Sequence, residues 1–176
     1  MKQLSNFLLI SGSGQNTGKT TLACQIISNL KDISPIGVKI SPHFHALDYP
    51  LPLVEKGEDF LIYREVHPDK NKDSSRFLQA GAKEVFILFA GRESLEKAVN
   101  KLLHKIPVNQ PVICESGGFA KYFKPGIHLF VSGNSGRQKP PEGNPDLHIE
   151  FDGSGFNIDP SGIDFKNGFW TVSKSV

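Results

Sequence analysis

The most informative segment of this 176-residue chain is Ser11-Gly12-Ser13-Gly14-Gln15-Asn16-Thr17-Gly18-Lys19-Thr20-Thr21. It follows the apolar run Phe7 to Ile10, which predicts a buried parallel strand. It precedes Thr20 to Leu30, where apolar residues recur at helical spacing. A glycine-rich turn between a strand and a helix presents inward-pointing N–H groups without side-chain clashes, and the helix N-terminus favours anions. The segment therefore predicts a phosphate-binding turn.

The same turn carries the side chains that a nucleoside triphosphate and Mg²⁺ require. Lys19 supplies a cation for the β- and γ-phosphate oxygens, and the Thr20 hydroxyl is placed to bind Mg²⁺. Five residues separate Gly12 from Gly18, whereas the common G-x-x-x-x-G-K-[ST] spacing has four. We expect phosphate contacts from Gly12, Gly14, Gln15, Asn16, Thr17, Gly18, Lys19, Thr20 and Thr21.

The pattern outside the turn predicts an α/β fold of P-loop NTPase type, with a mostly parallel sheet and helices on both faces. Residues 1–176 form a single domain in this interpretation. Further strands are predicted at Ile36 to Ile40, Val85 to Phe89, Pro111 to Cys114 and Ile127 to Val131, and further helices at Asp73 to Gly81 and Ser94 to Ile106.

Two segments depart from this regular alternation. Residues 41–72 are predicted to be an insertion that contains a hairpin, with strands at Leu51 to Val54 and Phe60 to Val66 around a five-residue loop. Residues 133–176 are predicted to be a short β-rich tail. Its strand candidates are Leu147 to Phe151, Gly155 to Ile158 and Phe169 to Val172.

Composition narrows the classes of partner. The formal net charge is only +2 and no long basic block occurs, which argues against nucleic acid as the main partner. The run Phe7 to Ile10 is too short for a membrane span, so we expect no membrane association and a cytoplasmic location. Cys24 and Cys114 lie far apart inside apolar runs, which indicates buried thiols in a reducing compartment.

Several charged residues outside the turn are candidates for the same site. Glu115 ends a predicted parallel strand, at the edge where ligands of open α/β sheets bind, and could bind Mg²⁺ or orient water. It could instead be a strand-end glutamate that pairs with a lysine. Asp73 could bind the metal, or could instead be a helix N-cap. Lys39, near the end of the second strand, could reach the phosphates or a second substrate, unless it is a solvated strand-end charge. Arg76 could hold an acidic group, unless it is a surface helix arginine.

Two weaker hypotheses complete the set of candidates. His43, His45 and His67 could form a small metal or substrate site, although two histidines two residues apart in a loop are a weak metal pattern. The turn Ser116-Gly117-Gly118 could form a second anion-binding nest, or a plain flexible turn.

One stretch resembles a known family. The segment Lys72-Asp73-Ser74-Ser75-Arg76-Phe77-Leu78-Gln79-Ala80-Gly81-Ala82 is similar to that of the molybdopterin-guanine dinucleotide biosynthesis adaptor proteins. The strand Gly37-Val38-Lys39, followed by His43 and His45, and the sequence Glu115-Ser116-Gly117 correspond to further family features. The resemblance covers roughly residues 7–131, apart from the hairpin region. The longer phosphate turn is similar to those of dethiobiotin synthetase and the cobyrinate amidotransferases.

The resemblance implies a GTP- and Mg²⁺-binding accessory protein in molybdenum cofactor biosynthesis. Such a protein would have weak or partner-stimulated hydrolysis, a biosynthetic enzyme as partner, and a homodimeric state. Lys19, Glu115 and Asp73 would be the catalytic candidates, with Thr20, Glu115 and Asp73 around the metal. The alternative is an ATP-dependent ligase or small-molecule kinase like dethiobiotin synthetase, and a third hypothesis is a nucleotide-binding module without hydrolysis. GTP is favoured over ATP by the resemblance alone.

Overall fold

The computed structural model describes residues 1–44, 46–133 and 139–173. Its described part contains three α-helices, none of which has the length and apolar character to cross a membrane. The helices are α1 (Lys19–Asn29), α2 (Asp73–Gln79) and α3 (Leu95–Leu103). The strands are β1 (Lys2–Gly12), β2 (Ile36–Ser41), β3 (Leu53–Lys56), β4 (Phe60–Glu65), β5 (Glu84–Ala90), β6 (Val112–Glu115), β7 (Phe123–Gly133), β8 (Leu147–Phe151), β9 (Ile163–Lys166) and β10 (Phe169–Val172).

Eight strands form one sheet in the order β3-β4-β5-β2-β6-β1-β7-β8. The strands from β5 to β8 in this order pair in parallel, whereas β3 and β4 are antiparallel additions at one edge. The strand β6 and the second half of β1, residues 7–11, are buried, as expected for parallel strands covered on both faces. The prediction of an α/β fold with a mostly parallel sheet is confirmed.

The helices lie on opposite faces of this sheet. Residues of α1 and α2 share one apolar core with Leu8, Ile10 and Ile113, whereas α3 packs into a second core with Leu9 and Cys114. The chain moves toward the β3 edge from β1 to β2, and toward the β8 edge from β5 to β6. Because crossovers between parallel strands are right-handed, these opposite directions place α1 and α3 on opposite faces.

The insertion contains the predicted hairpin, but with a shorter loop. Only residues 57–59 separate β3 from β4, and the Gly57 N–H donates to the Phe60 carbonyl at 2.9 Å. The expected five-residue loop is therefore wrong, because Glu55 and Lys56 pair with β4 instead of joining the turn. The strand β4 buries Phe60 and Ile62 against the α3 core, so the hairpin is an integral edge of the sheet.

We expect the outer edge of β3 to join two copies of the chain, since it pairs with β4 on one side alone. Leu53, which is half-exposed on this strand, is the residue to change. Leu53→Lys adds a charge that opposes edge-to-edge pairing and should convert a dimer to a monomer in light scattering. A monomeric parent protein, or a variant of unchanged mass, would rule this interface out.

The tail is β-rich as predicted, with differences in detail. The strand β8 extends the main sheet in parallel beside β7, and β9 and β10 form a separate antiparallel pair. Trp170 fixes this pair to the domain by donating its indole N–H to the Asn6 carbonyl at 2.9 Å. The strand expected at Gly155 to Ile158 is reduced to a single bridge between Phe151 and Phe156. Residues 134–138 and 174–176 lie outside the described part.

Candidate functional site

The carboxyl ends of β1 and β6 form the centre of the candidate site. The chain leaves β1 toward α1 on one face, and leaves β6 toward a 3₁₀ turn, Phe119–Lys121, that packs in the core on the other face. Neighbouring strands whose connections diverge in this way leave a crevice at their carboxyl ends, which is where open α/β sheets bind ligands. The predicted phosphate turn and Glu115 both lie at this crevice.

The turn has a defined conformation. Asn16 and Gly18 adopt positive φ angles of 55° and 87°, and Gly18 immediately precedes the first residue of α1. The Ser13 N–H donates to the Val131 carbonyl at 3.0 Å, and the Ser13 carbonyl accepts from the Lys139 N–H at 2.9 Å. The turn is therefore attached at its base to β7 and to the segment that follows β7.

Phe151, at the end of β8, packs directly against the turn. A Cβ atom added at Gly18 would lie 2.6 Å from the Phe151 ring, so this position requires glycine for space as well as for its φ angle. The other neighbour of Phe151 is Phe156, whose ring centroid lies 4.9 Å away. Sequence reasoning missed Phe151, because nothing in the local pattern indicates that this strand end reaches residue 18.

Lys19 folds back over the turn that it follows. Its Nζ donates to the Gly14 carbonyl and, at 3.1 Å, to Thr17 Oγ1. Burial lowers the pKa of Lys19, and the nearby Glu115 partly offsets this effect. No side chain of the described residues caps the N-terminus of α1, so its first N–H groups lack the usual protein acceptor. A cation and free helix N–H groups thus meet at one point.

Thr20, Glu115, Lys39 and Asp73 form a continuous polar chain beside the turn. The Thr20 hydroxyl donates to Glu115 Oε2 at 2.8 Å, and Lys39 Nζ donates to Glu115 Oε1 at 2.7 Å. The same Nζ donates to Asp73 Oδ2 at 2.6 Å. Glu115 is almost fully buried, with 6% of its side chain exposed, whereas the Asp73 side chain is 47% exposed. The structure therefore brings together all three residues that were predicted to surround the metal.

The first turn of α2 adds Arg76 to this chain. Arg76 Nη1 lies 3.9 Å from Asp73 Oδ1, and Nη2 donates to Thr21 Oγ1 at 3.4 Å. Helix α2 starts with Asp73 itself, and Lys72 occupies the N-cap position. The alternative interpretation of Asp73 as an N-cap is therefore wrong, because its carboxylate faces Lys39.

The charges in this chain stabilise one another. Burial alone would lower the pKa of Lys39, but the carboxylates of Glu115 and Asp73 outweigh it and the pKa is raised. Burial alone would raise the pKa of Asp73, but Lys39, Arg76 and Thr20 together outweigh it and the pKa is lowered. Both groups therefore stay ionised at neutral pH.

Glu65, at the end of β4, holds the insertion and α2 in place and was missed from the sequence. It is buried and accepts hydrogen bonds from the Tyr49 hydroxyl at 2.8 Å and from Ser74 Oγ at 2.7 Å. It also accepts from the backbone N–H groups of Val66 and His67. In the sequence, Glu65 follows the apolar residues of β4 as a solvent-exposed carboxylate on a strand would. The sequence therefore gave no indication that Glu65 is buried.

The glycine-rich turn and the polar chain beside it border a cavity of about 750 Å³, a size typical of small-molecule sites. Gly12 and Gly14 lie outside its lining; Gly12 is packed against Thr17 and the Val131 carbonyl. The other predicted site residues all line the cavity: Gln15, Asn16, Thr17, Gly18, Lys19, Thr20, Thr21, Lys39, Asp73, Arg76 and Glu115.

The weaker hypotheses receive no support. His67 contacts the Pro50 carbonyl at 3.2 Å and packs against Tyr49, and His45 lies outside the described residues. Within the described ranges, no group of three or more His, Cys, Asp or Glu side chains is placed to hold a metal. In the turn after β6, the Gly118 N–H already donates to Ser116 Oγ at 3.3 Å.

A magnesium ion nevertheless fits the donor set at the end of the phosphate turn. Mg²⁺ prefers one or two carboxylates, keeps several waters and takes its remaining ligands from a substrate's phosphates. Thr20, Glu115 and Asp73 offer a hydroxyl and two carboxylates at one point, linked by the Lys39 ammonium. A site of this kind need not contain three acidic protein ligands, because phosphate and water complete the shell.

Comparisons of the chain with protein-family models, with curated proteins and with solved structures gave no match.

Proposed function

We propose that this chain is a P-loop protein that binds a nucleoside triphosphate together with Mg²⁺. The observation that carries the proposal is the meeting of three features at one strand edge. These are a glycine-rich turn before an uncapped helix N-terminus, the Lys19 ammonium folded over that turn, and the contact of Thr20 with Glu115. The first two features favour a polyphosphate and the third favours a divalent cation, so together they match what a metal-bound triphosphate requires.

Each residue has a distinct task in this proposal. The N–H groups of residues 14–21 bind the phosphate oxygens, and Lys19 leaves the Gly14 carbonyl to neutralise the terminal phosphates. Thr20 would hold the metal directly, with Glu115 and Asp73 fixing its water ligands. When bound, Mg²⁺ would neutralise negative charge on the phosphates. Lys39 keeps the two carboxylates oriented toward that point.

We further propose that the nucleotide is GTP and that the chain is an accessory protein in molybdenum cofactor biosynthesis. The resemblance that suggests this role is strongest from residue 72 to residue 82. In the structure this segment forms α2, whose first turn brings Asp73 and Arg76 to the cavity. Weak or partner-stimulated hydrolysis and a homodimer belong to the same proposal. The partner would be an enzyme of that pathway.

A second candidate is an ATP-dependent ligase or small-molecule kinase. One observation favours it: the cavity continues beyond Lys39 and Glu115 along β2 and β5, where a second substrate could lie next to the terminal phosphate. The longer phosphate turn, with five residues between Gly12 and Gly18, points in the same direction.

A thermal-shift panel tests the proposal and separates its versions. GTP, ATP and their diphosphates would each be added with and without Mg²⁺, because a ligand that binds only the folded chain raises its melting temperature. We expect the triphosphates with Mg²⁺ to stabilise most. A preference for GTP supports the accessory protein, and a preference for ATP supports the second candidate. Absence of stabilisation by every nucleotide would refute triphosphate binding.

A further inference from the structure

The cavity consists of two compartments. We name them by their lining residues: the phosphate compartment by residues 15–21 and Phe151, and the side compartment by Ser41, residues 46–49, Leu51, Ile87 and Phe89, on the other side of Lys39 and Glu115. The proposed triphosphate uses the first of these. The second is bordered by strand residues, by residues of the insertion and by the Lys39 ammonium.

The floor of the side compartment follows from strand register. Lys39 pairs with Ile87, and Ser41 pairs with Phe89, on the neighbouring parallel strands β2 and β5. Paired residues of parallel strands point to the same face, here the face that carries α1 and α2. One step earlier, Phe77 of α2 packs on Gly37 so closely that an added Cβ would lie 2.8 Å from its ring. Helix α2 therefore ends its cover at Gly37, and Ile87 and Phe89 in the next two rows border the cavity. Phe89 also packs against Phe44 and Tyr63, at ring-centroid distances of 6.3 and 6.1 Å.

The roof comes from the insertion and is held in position. Leu47 and Leu51 both line the cavity opposite this floor. Between them, the Tyr49 hydroxyl donates to Glu65 at 2.8 Å, and Asp48 forms an ion pair with Lys72. The side compartment thus has apolar surfaces above and below, fixed by polar contacts at its margin. Small-molecule sites combine such apolar walls with a few placed polar groups.

Lys39 supplies the polar group that can orient a ligand in the side compartment. An ammonium group has three N–H donors, and Lys39 uses two of them on Glu115 and Asp73. No third acceptor is present among the described residues, and Lys39 lines the cavity at the boundary of the two compartments. The remaining donor is available to an anionic group that enters the side compartment.

We infer that the side compartment binds a small organic anion with an aliphatic or aromatic body. Its body lies between Ile87 and Phe89 on one side and Leu47 and Leu51 on the other, with its anionic group at Lys39. This inference rests on the proposed function, because it assigns the neighbouring compartment to the triphosphate. The anionic group then lies beside the terminal phosphate, which is the arrangement that a second substrate requires.

Nuclear magnetic resonance on the ¹⁵N-labelled full chain tests the inference. The probes are 4-phenylbutyrate and 4-phenylbutylamine, which share one apolar body and differ in charge. Each is titrated with and without Mg²⁺ and a non-hydrolysable GTP analogue. We expect 4-phenylbutyrate to shift the amides of residues 39–41, 46–49, 51 and 87–89, and the amine to bind roughly 10-fold more weakly or worse.

Two variants localise the binding. Leu51→Asp places a carboxylate in the roof of the side compartment. It should lower the affinity for 4-phenylbutyrate roughly 10-fold or more, because it adds a like charge and removes apolar contact. Val108→Asp is the control, since this residue is 89% exposed and precedes the amino end of β6, away from the cavity. It should leave the affinity unchanged.

The outcomes separate this inference from the proposed function. If the GTP analogue shifts the amides of residues 14–21 but the probe shifts lie elsewhere, the side compartment is refuted and nucleotide binding stands. Equal affinity for the two probes refutes the side compartment as well, and so does an equal loss of affinity for 4-phenylbutyrate in Leu51→Asp and Val108→Asp. If 4-phenylbutyrate binds as expected while the analogue does not bind, the compartment stands as an anion site and the proposed function fails.

Discussion

Replacing Lys19 with alanine is expected to abolish tight binding of the triphosphate while the chain stays folded. Lys19 is the cation that lies over the phosphate turn, where burial already lowers its pKa and therefore opposes an unpaired charge. Loss of one partner from a hydrogen-bonded charge pair costs about 2–5 kcal/mol, which is roughly 30-fold to more than 1000-fold in affinity. The fold should tolerate the change, because among the described residues the Lys19 side chain donates hydrogen bonds only to Gly14 and Thr17 of its own turn. Titration calorimetry measures the affinity, and circular dichroism monitors the fold.

Lys97→Ala is the matched control for this experiment. Lys97 is an exposed lysine on α3, which packs on the opposite face of the sheet from α1. Its removal changes the net charge by the same amount and should leave the affinity within about twofold, as is usual for surface substitutions. A folded Lys19→Ala variant that still binds the triphosphate as tightly as Lys97→Ala would contradict the assignment of the phosphate turn.

Replacing Glu115 with glutamine should affect the metal more than the nucleotide. The change keeps the shape of a nearly buried side chain and removes the charge that faces Thr20 and Lys39. Without metal, nucleotide affinity should stay the same or rise slightly, because one negative charge near the triphosphate is gone. With Mg²⁺, affinity should fall by roughly 10–100-fold, the usual effect of removing an outer partner of a metal site. Any hydrolysis should fall with it.

Glu96→Gln provides the control, since Glu96 lies on the exposed surface of α3. Calorimetric titrations of both variants, in Mg²⁺ and in a chelator, give the metal dependence directly. If the Glu115 variant keeps the metal dependence of the control, Glu115 only orients Thr20 and Lys39. Asp73→Asn would then be the next variant to measure, because Asp73 is the other carboxylate on Lys39.

The sequence predicted the regular part of the fold well, for reasons that the structure makes clear. The segments that became β1, α1 and β2 have strong apolar periodicity and are separated by glycine or proline. The strand β9 was missed because Ile163-Asp-Phe-Lys is short and half polar, and it depends on pairing with β10. The strand β7 begins at Phe123, earlier than expected. Its first half was not predicted, because it contains Pro125 and Gly126, which are uncommon in strands.

The part of the candidate site that lies at the carboxyl ends of the parallel strands could be predicted from the sequence. Glu115 and Lys39 end neighbouring strands, so their convergence follows from the rule that parallel strands present their carboxyl ends together. The bridging of Glu115 and Asp73 by Lys39 could not be predicted, because it depends on how α2 packs on β2. Phe151 and Glu65 approach the site from distant parts of the chain, and local patterns contain no information on such contacts.

The most direct measurement is a calorimetric titration of the parent chain with a non-hydrolysable GTP analogue, in Mg²⁺ and again in a chelator. Binding at this turn predicts one nucleotide per chain, with higher affinity in Mg²⁺ and competition by ATP at the same site. No binding of either nucleotide under both conditions, in a protein that circular dichroism shows to be folded, would contradict it.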